Sequence, residues 1–278
     1  MVQWDSLIRF RATDGNDYWA PIPLGDNPAA GLSVQGFPSI EALESDAPSK
    51  SVKVEKLLAP VPVTGINIIC VGLNYRNHAN EASLPIPTCP PMWYKAPPAL
   101  ANPDSEIPFP PQAQKNFPDF EGELTIVLRD TIKSISPAEA SSHILGYTIG
   151  NDLTARFFQR ACGGQYTHAK GFDNFAPLGP RLVHPSVFNP ADESRRITTR
   201  VNGRVVQDSP FDFIFPVDEL VSFLSEGTTI PAGTAILTGT PAGVGWFQDP
   251  KCPLEHGDVV EIEVKPIGTL KNTIAFEK

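Results

Sequence analysis

Thirty prolines in 278 residues limit what this chain can build. Each proline lacks a backbone donor and breaks the interior of a helix or a central strand. The spacing leaves room for many short strands and turns and for few long helices. The proline pairs concentrate in residues 85–118, which read as a long irregular segment. In a compact protein a segment of that kind usually carries function.

Between the prolines the pattern is mostly that of strands. Residues 7–21 read as two strands around an Asp14-Gly15-Asn16 turn, and Ser39–Glu44 as a short helix. NIICVGL (67–73) is a buried strand, and ELTIVLRD (123–130) is another. A short helix starts at Pro137, and ILGYTIGND (144–152) is a strand ending at Asp152. LTARFFQRA (153–161) follows as a helical turn. Three further strand patterns fill the last third, ITTRVNGRVVQD, TAILTG and DVVEIEV. They are joined by one amphipathic helix, VDELVSFLSEG, with Gly227 as its C-cap. The sum is a β-rich α+β chain. A boundary near residues 60–66 divides it into a small N-terminal domain, 1–62, and a larger domain, 66–278.

Charge and cysteine content narrow the partners. The net charge is −9 with no basic run, which argues against nucleic acid. No window reaches the length and apolarity of a membrane span. The opening MVQWDSLIRFRATDG lacks the apolar centre of a targeting peptide. Cys70, Cys89, Cys162 and Cys252 are scattered without a CxxC spacing, as expected of reduced thiols in a cytoplasmic protein.

The chemistry concentrates in five places. In DFEGELTIVL (119–128), period-two alternation puts Glu121, Glu123, Thr125 and Val127 on one strand face and Gly122, Leu124, Ile126 and Leu128 on the core face. Two like charges side by side are costly unless something positive sits between them. A Lys or Arg pair would serve, and so would a metal ion. With Asp152, the two glutamates would make an all-oxygen set suited to Mg²⁺ or Mn²⁺; the bland reading is a solvated strand face and an N-cap aspartate. Asp152, Arg156 and Gln159, at offsets of four and seven, would share one helical face. There Arg156 can bind a carboxylate or simply form a surface ion pair. His78 and Glu81, three apart in NYRNHANEA, would meet on one helical turn, where a carboxylate-oriented histidine can move a proton; a surface cap is the alternative. The LTGTPAGVG loop (237–245) offers amides and hydroxyls for an anion. Lys170 precedes an apolar loop and can neutralise an enolate oxygen or a carboxylate.

Together, CVGLNYRNHANEA, WYKAPPAL, DFEGEL, GYTIGNDLTARFFQ, KGFDNFAPLGP, VNGRVVQDS and ILTGTPAGVG, in that order from about residue 66 onward, resemble the fumarylacetoacetate hydrolase family. The resemblance implies a mixed β-sandwich roll with a small N-terminal domain, commonly a homodimer. It implies Glu121, Glu123 and Asp152 as Mg²⁺ or Mn²⁺ ligands and His78 with Glu81 as a water-activating dyad on a lid. Lys170 would be catalytic, and Tyr75, Arg156, Gln159 and Thr240 would line the substrate site. The expected reaction is C–C bond hydrolysis of an acylpyruvate-like or other 1,3-dicarbonyl or 2-oxo acid through a metal-stabilised enolate. Decarboxylation of a β-oxo acid, or keto–enol tautomerisation or isomerisation, could arise on the same site. A non-catalytic binding subunit would have shed a metal carboxylate or the lysine, and both are kept. Where relatives often carry QDGNT or similar, this chain has Gln207-Asp208-Ser209-Pro210.

Overall fold

The computed structural model describes residues 4–278. The short-strand expectation holds: the longest helix, Val217–Ser225, has nine residues, and every other helix has six or fewer. No helix among the described residues is long and apolar enough to cross a membrane.

Two sheets carry the fold. In the larger one, Ser6–Ala12 lies beside Ala176–Val183, followed in order by Ile144–Asn151, Gly122–Leu128, Ala235–Leu237, Ile68–Val71 and Met92–Lys95. The smaller sheet runs Arg204–Pro210, Arg196–Val201, Val259–Val264, Gly268–Phe276 and Glu106–Phe109. The hairpin between Arg196–Val201 and Arg204–Pro210 turns at Asn202 and Gly203, both at positive φ, as a tight NG turn requires. Leu124, Ile126 and Leu128 of the first sheet and Ile197, Val260, Ile262 and Val264 of the second belong to one buried apolar cluster. That cluster makes the molecule a sandwich, with the side-chain alternation of each sheet meeting in the middle.

The N-terminal strands carry an apolar cluster of their own, with Ile8, Phe10, Val54 and Leu57 at its centre. Ser6–Ala12 also pairs antiparallel with Ala176–Val183, so hydrogen bonding is continuous from this region into the larger sheet.

Two expectations need correction. Residues 85–118 are not irregular throughout. They hold the strands Met92–Lys95 and Glu106–Phe109, which pair with Ile68–Val71 and Gly268–Phe276 respectively. Both run along the outer side of their sheets, where prolines nearby cost no ladder bonds. Nor is the Glu121–Glu123 face solvated, since every residue from Gly122 to Leu128 is buried. The second sheet covers the Gly122–Leu128 face, and on the other face Val127 is buried in an apolar cluster with Leu145, Leu178 and Leu237.

Gly122 packs directly against the second sheet. A Cβ there would collide with Thr199 Oγ1 and crowd Gln207 and Ile262. Gly122→Ala is expected to cost about 1–3 kcal/mol, read as a lowered denaturant midpoint at unchanged slope.

Candidate active site

Four strand ends converge on one edge of the larger sheet. Ile68–Val71 and Ala235–Leu237 run parallel and end there. Gly122–Leu128 is antiparallel to both Ala235–Leu237 and Ile144–Asn151, so it begins where they stop. The register sets Gly122 opposite Asn151, which brings Glu121 beside Asp152, and the Asp152 amide donates to the Glu121 carbonyl at 2.9 Å. The carboxylate oxygens of Glu121, Glu123 and Asp152 lie within 4.8 Å of one another, all buried.

Both kinds of compensation envisaged for the paired glutamates bear on this cluster. Lys170 Nζ sits 2.8 Å from Glu121 Oε2 and 2.6 Å from Asp152 Oδ2. Arg156 Nη1 lies 2.5 Å from Glu121 Oε1, while its Nε donates to Asp119 Oδ2 at 2.7 Å. Burial alone would raise the Glu121 carboxyl, but Lys170 and Arg156 outweigh it and hold the group at about 2. Glu123 goes the other way. Burial first, then Asp152 and Glu121, push it well above the ordinary range, and Lys170 and the Gly239 amide offset only part. Lys170 is held above its ordinary value despite burial, because Asp152 and Glu121 stabilise the ammonium.

The donor set fits a hard divalent cation. All three groups offer oxygen, and Glu123 Oε1 is buried with no hydrogen-bond partner. Four buried carboxylates, with Asp119 counted, face three buried cations, Lys95, Arg156 and Lys170. A dication would turn the one-charge deficit into a one-charge surplus, which suits an anionic substrate.

Above the cluster lies a cavity of about 590 Å³, lined among others by His78, Glu121, Arg156, Gln159, Lys170 and Thr240. His78 and Glu81 share the short helix Arg76–Glu81, as their spacing implied. His78 Nδ1 is 3.0 Å from Glu81 Oε2, and Glu81 Oε1 accepts from the Gly243 amide at 2.9 Å. An ionised carboxylate can only accept, so the hydrogen of Nδ1 points to Glu81 and Nε2 is the ring nitrogen that the pair leaves over. The helix is tied down by Asn77, whose amide donates to Ser209 Oγ at 2.8 Å.

Several residues sit differently from the simple helical picture. Asp152 is not on the helix with Arg156 and Gln159; that helix, Arg156–Ala161, starts four residues later, after the bridging strand Thr154–Ala155. Arg156 therefore pairs with Asp119 and Glu121 rather than with Asp152, and Gln159 Oε1 accepts from Arg156 Nη1 at 3.3 Å. The Leu237–Gly245 loop does hold anions, but they are the chain's own. Amides of Gly239, Gly243 and Gly245 bind Glu123, Glu81 and Asp119. Thr240 reaches the cavity, yet its hydroxyl already donates to Gly122 O and accepts from Gln207. Tyr75 is fully buried, its hydroxyl unpartnered; burial, then Glu123, keeps the phenol protonated.

Lys95 and Asp119 escaped the sequence reading. Lys95 is completely buried, with Nζ 2.5 Å from Asp152 Oδ1, and it also donates to the carbonyls of Leu153 and Phe175. The signal was alternation: in Met92–Lys95, Lys95 is in phase with Trp93, whose ring lies 4.7 Å from Lys170 Nζ. Asp119 opens the same DFEGEL motif that supplied the glutamates.

A β sandwich with a buried carboxylate cluster under a cation-lined cavity carries a donor set that could hold a divalent metal. Residues 67–275 match the family described as fumarylacetoacetate (FAA) hydrolase, C-terminal, and the chain belongs to that family. It is 40% identical over 227 residues to oxaloacetate tautomerase YisK of Bacillus subtilis, covering 81% of this chain and 74% of that one. It is 39% identical over 219 residues to 2,4-didehydro-3-deoxy-L-rhamnonate hydrolase of a Sphingomonas species, covering 77% and 75%. Among solved structures, 5-carboxymethyl-2-hydroxymuconate delta-isomerase from Mycobacterium smegmatis superposes with a TM-score of 0.79 at 34% identity, over 98% of this chain and 99% of that one. The family is enzymatic and spans hydrolases, isomerases and tautomerases.

Proposed function

We propose that this protein uses Mg²⁺ or Mn²⁺ to move a proton at the carbon beside the carbonyl of a 2-oxo acid, with keto–enol tautomerisation of an oxaloacetate-type substrate as its reaction. The observation that carries the reading is the His78–Glu81 pair, tautomer fixed, on the wall of the cavity that contains Glu121 and Lys170. The tautomerase relative supports the choice of reaction.

Held by Glu121, Glu123 and Asp152, the cation would polarise the carbonyl and acidify its neighbour. The chain's own residues supply the rest. Arg156 lines the cavity, and its Nη2 is buried without a hydrogen-bond partner, which leaves that one donor for the substrate carboxylate while Nε and Nη1 serve Asp119 and Glu121. The Lys170 ammonium stands over the carboxylates where negative charge would gather on the substrate oxygen. His78 Nε2 takes the proton from carbon and passes it to the carbonyl oxygen, or in the enol-to-keto direction takes it from the enol oxygen and delivers it to carbon, with Glu81 stabilising the imidazolium between the two transfers. C–C hydrolysis of an acylpyruvate is the second reading, supported by the hydrolase relative; there the same nitrogen would draw a proton from water.

The test supplies oxaloacetate enol, and separately an acylpyruvate, with Mg²⁺ or Mn²⁺. Faster enol-to-keto conversion without cleavage products supports tautomerisation, and pyruvate plus free acid supports hydrolysis. No turnover of either defeats the proposal. His78→Gln is expected to lower kcat about 10²–10⁴-fold with little change in KM. Retained activity would remove His78 from proton transfer.

A further inference from the structure

We propose that Asp119 is a positioning residue for substrate binding: it holds the Arg156 guanidinium and the Gly245–Trp246 wall of the cavity in one geometry, leaving a single donor, Nη2, for the ligand carboxylate. This deepens the reading above and rests on it for that carboxylate.

Asp119 is completely buried and belongs neither to the metal-binding carboxylates nor to the cavity lining. Its oxygens are nonetheless fully used. Oδ1 accepts from the amides of Phe120 at 2.9 Å and Gly245 at 2.8 Å, and Oδ2 from Arg156 Nε at 2.7 Å and the Trp246 amide at 3.0 Å. An ionised carboxylate has about four acceptor positions, so none is left over. The short pairing of Pro118–Asp119 with Thr154–Ala155 sets this group beside the start of the helix Arg156–Ala161.

A guanidinium is a flat, rigid fork, so holding two of its nitrogens fixes the third. Asp119 takes Nε, while Glu121 Oε1 and Gln159 Oε1 take Nη1 at 2.5 and 3.3 Å. Of the two carboxylates, Glu121 also serves Lys170 and is a candidate metal ligand. Asp119 has neither duty, so it anchors the arginine whatever occupies the metal site.

The other arm of Asp119 seats the turn Gly245–Phe247. Gly245 approaches so closely that a Cβ would lie 2.1 Å from the Cys252 carbonyl oxygen and 2.7 Å from Asp119 Oδ1. Trp246 and Phe247 then line the cavity, and the Phe247 ring packs edge-on against His78 with centroids 5.7 Å apart. One buried carboxylate thereby joins the substrate arginine to the turn that packs against the base. A buried ion pair that serves stability alone would share these contacts, and ligand affinity separates the two roles.

The experiment is a calorimetric titration of the Mn²⁺-loaded protein with oxalate, an inert ion that presents a carboxylate beside a second oxygen donor, with thermal melts of each variant. Asp119→Asn keeps the size but sets an NH₂ against Arg156 Nε or a backbone amide. It is expected to weaken oxalate about tenfold, the loss of one well-aimed charge-assisted hydrogen bond, with Mn²⁺ affinity changed less than about twofold. In the Arg156→Met background the same substitution should change oxalate affinity less than about twofold, because its effect passes through the arginine. Arg156→Lys keeps the charge without the fork and should lose most of what Arg156→Met loses; it decides the matter if Asp119→Asn does not fold. Wild-type oxalate affinity in Asp119→Asn, even with a lowered melting temperature, overturns the proposal. So do equal losses in both backgrounds, or wild-type affinity in Arg156→Lys. If the wild type itself does not bind oxalate, the 2-oxo acid reading fails and takes this one with it. If binding behaves as expected while no substrate turns over, only the catalytic reading falls.

Discussion

Glu123→Gln is expected to abolish tight divalent binding and lower kcat/KM by about three orders of magnitude, on the order of 4 kcal/mol of transition-state stabilisation, while making the metal-free protein more stable. The opposite signs share one cause. Glu123 is fully buried beside Asp152 and Glu121, and one of its oxygens has no partner. As a ligand, that oxygen is what the cation needs. Without a cation it adds a like charge to an already crowded site. An isosteric amide keeps the acceptor for the Gly239 amide and turns repulsion into donation, a gain of about 1–2 kcal/mol.

The pH dependence separates the two states further. In the metal-free protein Glu123 has a folded value raised above the ordinary 4.5, so its contribution is fully present below that value and is lost as pH rises through the folded one. Glu121 is held at about 2, so it contributes above 4.5 and loses that contribution as pH falls toward 2. Wild-type metal-free protein should therefore lose stability above pH 4.5 by an increment that Glu123→Gln does not show. Thermal melts across that range with chelator present, and Mn²⁺ titrations of both proteins, decide it. A variant that still binds Mn²⁺ as the wild type does would remove Glu123 from the ligand set.

What could be read from the sequence depended on the range of the interaction. The pairing of Glu121 with Glu123 and of His78 with Glu81 is a matter of two or three residues, and strand or helix period is enough to place such neighbours. Asp152 was found as a strand end, but its relation to Arg156 was misjudged. A continuous helix was assumed where Thr154–Ala155 instead bridges to Pro118–Asp119, a contact across about 35 positions that no local pattern encodes. Solvation failed for the same reason. Alternation says which residues share a face, and only distant contacts say that both are covered, the second sheet against Gly122 on one side and the apolar cluster around Val127 on the other. Prolines predicted short elements correctly but were over-read as absence of structure in 85–118, where they flank strands on the sheet margins.

Lys95→Met should be the most damaging single change to the fold, at about 3–5 kcal/mol, the range for removing one partner of a buried ion pair. Lys95 has no exposed surface, and its ammonium serves Asp152 Oδ1 together with the carbonyls of Leu153 and Phe175. A methionine fills the space of the stem but returns no donor. Asp152 would keep Lys170 alone, and two buried carbonyls would lose a partner. Charge removal and packing loss are separable by adding Asp152→Asn. If the uncompensated carboxylate dominates, the double variant should recover a large part of the lost stability, and additivity would show instead that packing and the carbonyls carry the cost. A divalent cation offers a second separation. With one ammonium gone, Mn²⁺ meets less repulsion at Asp152, so the midpoint of Lys95→Met should rise more on saturation with Mn²⁺ than that of the wild type. Equal shifts would mean that Lys95 holds the backbone around residues 152–175 and does not sense the charge in the site, leaving Lys170 as the cation that answers to the carboxylates.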